Sequence, residues 1–357
     1  MSKDNIVAMV ANEAAGSKRG YLNDVAALRL TLIFLLVFYH AFCPFTGAWD
    51  TPYENFPQIE TYKWFGVLSH YFQLETMIFI SGLLFGYALA RSPERLNFNN
   101  CVTKKAKRIL LPCLLFSVVY YLMFYDSNET WYIIVYKISC GCGHLWFLPM
   151  IFWCFVIAYL LERKRATPPH LVLIVSAMAS IAALPVSLFG LGRTMAYFIY
   201  FHFGFCIMRG YIKFKYLSIT VSLICIVIYA LLIVLYEQVK GIGDTGIIWT
   251  LLRIGALRII HLVAAMLMIF ALYSLANRPS IKAALDKMPI LIKLSGYCYG
   301  VYIYQQFILK YLYYDTAMPS HFTPEMLPWV GVASALLLSI VFCYLTLKTR
   351  LGRYLIG

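Results

Sequence analysis

Ten stretches of the chain read as near-continuous apolar runs separated by short polar segments. They lie near 25–44, 66–90, 108–125, 144–161, 170–189, 194–211, 216–236, 248–276, 290–312 and 327–347. Crossing a bilayer core takes roughly 20 apolar residues. Backbone groups in lipid must be satisfied internally, so runs of this length predict helices. The pattern predicts an all-α polytopic membrane protein with about ten transmembrane helices. It divides the chain into an N-terminal segment 1–24, a membrane domain 25–349 and a short tail 350–357. Segment 1–24 has no apolar stretch of the kind a secretory signal needs, so insertion is expected to rely on the first hydrophobic run.

Composition agrees. Of 357 residues, 62% are hydrophobic and 13% charged, against about a quarter charged in soluble domains. The net charge of +14 would suggest nucleic acid in a soluble protein, but no clustered basic face emerges, and nucleic acid is excluded as a partner. The charge follows topology instead. Lys3, Lys18, Arg19 and Arg29 fall on one side with Arg91, Arg95, Lys104, Lys105, Lys107 and Arg108. Arg163 to Arg165, Arg209, Lys213, Lys215, Arg278, Lys282, Lys287, Lys293, Lys348, Arg350 and Arg353 join them. The other side collects Asp50, Glu54, Glu60, Asp126, Glu129, Glu237, Asp244, Asp315 and Glu325. Both termini are therefore expected in the cytoplasm. The ten cysteines lie mostly inside apolar runs, where they act as small hydrophobes. Cys140, Cys142 and His144 lack a fourth ligand at zinc-site spacing, so no metal is expected.

Polar residues inside the runs are costly and point to an interior cavity. In "ALRLTLIFLLVFYHAFCPF", Arg29 and His40 are eleven residues apart. On a helix they share a face, about 20° past three turns and about 16 Å apart along the axis. The second run contributes Gln73, Glu75 and Ser81, the eighth Arg258 and His261, and the ninth Tyr299, Tyr302, Gln305 and Gln306. Four runs with such residues predict one polar chamber. Lys104, Lys105, Lys107 and Arg108 open the third run. They suit either anionic lipid or a phosphate grip. Basic grip, Arg29 and His40 together describe a path for a long molecule with a phosphate head.

These residues resemble the acyltransferase-3 family of multi-pass acyltransferases over most of residues 22–347. Arg29 and His40 match its R-x10-H pattern, and "FISGLLFGY" at 79–87 its F-x-S-G element. "KKAKRILLP" at 104–112 is similar to its R-x-x-R element, with Lys105 at the first basic position. "GHLWFLPMI" at 143–151, which includes Trp146, is similar to its H-L-W-F-L stretch, and "YFHFGFCI" at 200–207 to its F-x-x-G element. "YCYGVYIYQQ" at 297–306 is similar to its end motif, with Gln305 where histidine is usual.

The resemblance implies transfer of an acyl group, often acetyl, from acetyl-CoA (acyl-CoA) in the cytoplasm to an extracytoplasmic glycan or glycolipid. It also implies that His40 carries catalysis and that the arginines handle the donor. Such a protein would sit in the bacterial cytoplasmic (inner) membrane. Coenzyme A would then rest on Arg29, Lys104, Lys105, Lys107 and Arg108. His40 would serve as general base or acyl carrier, Glu75 would orient it, and Arg258 or Tyr302 would stabilise the oxyanion. Ser81, Trp146, His261, Tyr299 and Gln305 are candidates for substrate binding. The aromatic-rich loop 44–66 is either an interfacial belt or an acceptor surface. A proton-coupled transporter exporting a small metabolite is the alternative, since intramembrane His, Glu and Arg suit it too; no inverted repeat supports it. A scaffold that has lost catalysis is a further rival.

Overall fold

The computed structural model describes residues 20–92, 97–125, 128–164, 167–183, 188–243 and 246–357. The expectations placed on Lys3, Lys18, Arg19, Arg95, Asp126, Arg165 and Asp244, and on most of segment 1–24, lie outside the described residues. Every regular element among the described residues is helical. Among the described residues, seven helices are long and apolar enough to cross a membrane: Asn23–Ala41, Glu60–Arg91, Asn99–Phe124, Gly143–Lys164, Ile219–Lys240, Ile247–Ala276 and Leu327–Lys348.

The chain begins with α1 (Gly20–Ala41), a short α2 (Cys43–Thr46), and α3 (Glu60–Arg91). A π-helical turn, Asn99–Thr103, leads into α4 (Lys104–Phe124), followed by α5 (Trp131–Cys140). After the 3-10 turn Gly143–Trp146 come α6 (Phe147–Lys164), α7 (Pro169–Ala182) and α8 (Leu191–Met208). The second half holds α9 (Ile219–Lys240), α10 (Ile247–Ala276), α11 (Pro279–Asp286), α12 (Ile290–Ser295) and α13 (Cys298–Tyr314). The short α14 (Met318–His321), α15 (Leu327–Lys348) and α16 (Arg350–Ile356) complete the chain.

Three of the ten predicted spans are shorter or more polar than the sequence suggested. At 14 residues, α7 rises about 21 Å, less than a hydrocarbon core of about 30 Å. Within α8, Arg193, Thr194 and His202 interrupt the apolar run. The run 290–312 breaks at Gly296–Tyr297 into α12 and α13. The amphipathic-looking loop before residue 143 contains α5, an element the 20-residue criterion passes over.

Close approach of α3 and α8 sets the core. A Cβ on Gly82 would strike the Phe201 carbonyl oxygen, and one on Gly204 would strike that of Phe79. This reciprocal use of glycine lets two backbones touch, the usual way helices pack without a hydrophobic drive in lipid. Around the crossing, Ile78, Phe79, Leu83 and Phe201 are fully buried, as are Leu32 and Val37 of α1 and Leu309 of α13. At the periphery α9 and α10 present Leu231, Ile247 and Leu251 outward, as lipid-facing side chains should be. Tyr71 leaves helical geometry inside α3 and re-aims its first third.

Charged pairs tie one end of the bundle. Asp24 at the start of α1 pairs with Lys282 of α11 at 2.9 Å, and Glu162 of α6 with Arg209 after α8 at 2.7 Å.

Candidate active site

A cavity of about 960 Å³ opens at that end, within the upper range of cofactor sites, roughly 300–1,000 Å³. Four of the five residues nominated for the donor line it: Arg29, Lys104, Lys105 and Arg108. Lys107 does not; it is exposed and lies outside the lining. Lys105 lies 3.9 Å above the Phe155 ring, a cation–π seat that fixes a flexible ammonium. Arg108 donates to the carbonyl of Gly357, which also lines the cavity. Deeper in, the walls turn apolar with Ile33, Met77, Ile80 and Phe147, joined by Ser81, Tyr299 and Tyr302. Ser81 gives its hydroxyl proton to the Met77 carbonyl, 2.9 Å away in its own helix.

The Tyr299 seat follows from one proline. Pro112 sits inside α4 and has no N–H for the carbonyl four residues back. That carbonyl belongs to Arg108, and the Tyr299 hydroxyl donates to it at 3.3 Å. The covalent chemistry of residue 112 thus anchors α13 to the basic mouth.

Beyond the cavity two adjacent glutamines of α13 hold two histidines. Gln305 is fully buried and its Oε1 lies 2.9 Å from Nδ1 of His40. An amide oxygen only accepts, so Nδ1 donates and Nε2 keeps a free lone pair. Gln306 Oε1 receives the backbone N–H of His144 at 2.9 Å and the Tyr120 hydroxyl at 3.0 Å, with His144 Nδ1 at 2.8 Å. His144 Nε2 donates to the Ile303 carbonyl at 3.0 Å. The two imidazole centroids are 6.4 Å apart. Trp49, from the loop 44–66, stacks on His40 at 5.6 Å and 12°. Tyr314 at the end of α13 holds that loop by donating to the Asp50 carbonyl at 2.7 Å.

Glycine makes the His144 turn possible. Gly143 has φ +54°, and a Cβ there would collide with the Tyr120 ring and lie 2.7 Å from Gln306 Oε1. Only a residue without a side chain lets the His144 amide reach the glutamine.

Tyr302 links the two regions, because it lines the cavity and donates to the His144 carbonyl at 2.6 Å. Its proton is engaged there, so this arrangement makes it a partition rather than the oxyanion donor the sequence suggested. Glu75 does not orient His40 either. Its carboxylate lies 2.9 Å from His261 Nε2, because α10 rather than α1 faces it across the bent part of α3. Arg258, expected beside His261, instead donates to the Ile181 carbonyl of α7 at 2.9 Å. The single polar chamber therefore resolves into a His40–His144 centre and a separate Glu75–His261 pair, which Tyr71 adjoins at 5.6 Å. Trp146 belongs to a third cluster, with Arg193 at 4.1 Å from its ring and Tyr197 at 5.9 Å.

His144, Tyr120, Trp49 and Lys310 escaped sequence reasoning as site residues, and Gln306 was placed in the polar chamber without a role. His144 and Gln306 stood inside the quoted motifs, and the neighbouring pair Gln305–Gln306 in an apolar run was the available signal. Among the described residues no group of three His, Cys, Asp or Glu side chains is placed to hold a metal ion.

Neither a curated protein nor a solved structure matches the chain. A family model described as an acyltransferase domain matches residues 22–348. With nearly the whole chain covered, and with Arg29 and His40 standing at the two ends of one helical face, this protein belongs to the acyltransferase-3 family of integral membrane proteins.

Proposed function

We propose that the protein transfers an acyl group, acetyl in the first instance, from cytoplasmic acyl-CoA to a hydroxyl of an extracytoplasmic glycan or glycolipid. The reading places the basic cavity on the cytoplasmic face of a bacterial inner membrane. The observation that carries it is the cavity itself: a rim of four cations, an apolar shaft, and a floor made by Tyr302 directly under the His144–His40 pair. The rim suits the phosphates of coenzyme A and the shaft its extended arm.

His40 is the base in this scheme. With Nδ1–H held by Gln305, Nε2 takes the proton of the acceptor hydroxyl as its oxygen attacks the thioester carbon. The C–O bond forms, the C–S bond breaks, and the proton passes from His40 to the departing thiolate. A variant of the same chemistry has Nε2 attack first and carry the acyl group to the hydroxyl. Membership of an acyltransferase family weighs against the transporter alternative.

The test uses purified protein in detergent with acetyl-CoA, reading release of the free thiol and acetyl ester formed on membrane glycans. His40→Ala should abolish both while leaving the melting profile intact. Arg29→Ala and Arg108→Ala should raise the KM for acetyl-CoA about tenfold or more, the scale of a lost charge-assisted bond. Wild-type turnover in a folded His40→Ala protein would refute the scheme.

A further inference from the structure

Two cations of this bundle that lie away from the basic cavity rim are paired with carboxylates. Arg209 has Glu162 and Lys282 has Asp24. Lys310, beside the His40 centre, and Arg193, in the neighbouring Trp146 cluster, are not. Lys310, at the far end of α13, has no carboxylate within ion-pair distance among the described residues. Its ammonium lies instead among three rings, 5.6 Å from Trp49, 5.7 Å from Tyr120 and 5.8 Å from Phe124. Arg193 has a buried Nη1 with no hydrogen-bond partner and rests on Trp146, two residues beyond His144. An unpaired charge at membrane depth is expensive and persists where a ligand or pathway uses it.

Position says which ligand. Trp49 is shared: one face stacks on His40 and Lys310 approaches the same ring. An anion drawn to Lys310 is therefore delivered beside the imidazole. The carboxylate of Asp50, next in the chain, acts on Lys310 from beyond ion-pair distance, and its backbone is held by Tyr314. The Gln305 Nε2 amide is also buried without a partner, leaving a donor for a hydroxyl or carbonyl oxygen next to His40. An ammonium, an aromatic plate and an amide donor around a base match a sugar that carries a negative charge.

We infer that the acceptor is an anionic saccharide, bearing a carboxylate or a phosphate, whose charge is held by Lys310 against Trp49 while its hydroxyl meets His40. Arg193 on the Trp146 side gives a second anchor for a longer acidic glycan. This deepens the acyl-transfer reading by naming the acceptor's chemical class, and it rests on that reading for the role of the hydroxyl.

Binding separates the two ideas. Purified wild type, Lys310→Gln, Lys310→Arg and Arg108→Gln are titrated with glucuronate, glucose 1-phosphate and methyl glucoside, with thermal stabilisation and tryptophan fluorescence as readouts. The two anionic sugars should bind wild type about tenfold or more tighter than the neutral one, the scale of a charge-assisted bond. Lys310→Gln should erase that preference, Lys310→Arg should retain it, and Arg108→Gln, at the other end, should leave it unchanged. Preference for glucuronate alone identifies an acidic sugar residue, and preference for the phosphate alone identifies a phosphosugar headgroup. Equal binding of charged and neutral sugars, or a preference that survives Lys310→Gln, overturns the inference. Failure of acyl transfer with the preference intact would instead count against the enzyme reading.

Discussion

Gln305 offers the sharpest test of how His40 is poised. It stands where the family usually has histidine, and in the proposed scheme its bond to His40 has the orienting task that a carboxylate performs in hydrolase triads. Replacing it with alanine leaves the Nδ1–H of a buried imidazole without an acceptor. His40 is 7% exposed and Gln305 fully buried, so water is poorly placed to substitute. Gln306 cannot step in, since its Oε1 already serves Tyr120 and the His144 amide. An orphaned buried donor costs about 1–3 kcal/mol. The ring relieves that cost by moving its proton to Nε2 or by turning away from the Trp49 stack, and both remove the basic nitrogen. The expected loss is therefore roughly 5- to 150-fold in kcat, with the KM for acetyl-CoA unchanged because Gln305 does not line the donor cavity. Gln305→His should recover most of the rate, as a ring nitrogen can accept the same proton. Glu75→Gln should cost less than Gln305→Ala, because Glu75 faces His261. Steady-state thiol release over a range of acetyl-CoA concentrations measures all of this. A folded Gln305→Ala protein with wild-type kcat, or one whose defect lies only in the acetyl-CoA KM, would refute the reasoning.

Two further predictions concern glycine. Gly143→Ala forces a side chain into left-handed backbone and onto the Tyr120 ring, so it should lower kcat while the acetyl-CoA KM holds, as read from the same kinetics. Gly82→Ala drives a methyl into the Phe201 carbonyl; overpacking of this kind costs about 1–3 kcal/mol, measurable as a lowered melting temperature in detergent.

The apolar pattern located the helices well, because lipid imposes one rule on every long run. It overstated the spans where a run was broken by geometry instead of composition: Gly296–Tyr297 reads as apolar yet divides α12 from α13. The basic cavity was largely legible, since Arg29 shares a helical face with His40 and the basic cluster opens α4. Partners were not. Helical spacing places Arg258 and His261 side by side, but which neighbour each meets depends on how α10 lies between α3 and α7. The same spacing could not assign Glu75, because the irregular backbone at Tyr71 changes where that stretch of α3 points. Lys310 looked like one more basic residue in a helix; only the fold brings it onto the Trp49 ring that stacks on His40.

The remaining question is why one helix should carry so many of these contacts. Going along α13, Tyr299 and Tyr302 wall the cavity, Gln305 and Gln306 hold the histidines, and Lys310 stands beyond them. Tyr299 and Lys310 are eleven residues apart, as are Arg29 and His40, and each interval rises about 16 Å. Since α1 reaches His40 from the cavity and α13 reaches Gln305 from the same cavity, the two helices run in one direction, joined at the 2.9 Å bond between His40 and Gln305. Both are therefore graded along the same axis, with cations at the cavity mouth, apolar walls between, and His40 and Lys310 at the far end. In the proposed reaction a thioester entering along this axis would meet Tyr302, whose hydroxyl is bonded to the His144 carbonyl. The partition belongs to the same hydrogen-bonded assembly as Gln306 and Tyr120. In the proposed scheme, a shift of Tyr302 would therefore be felt at His144 and, through Gln306, on the helix that holds His40.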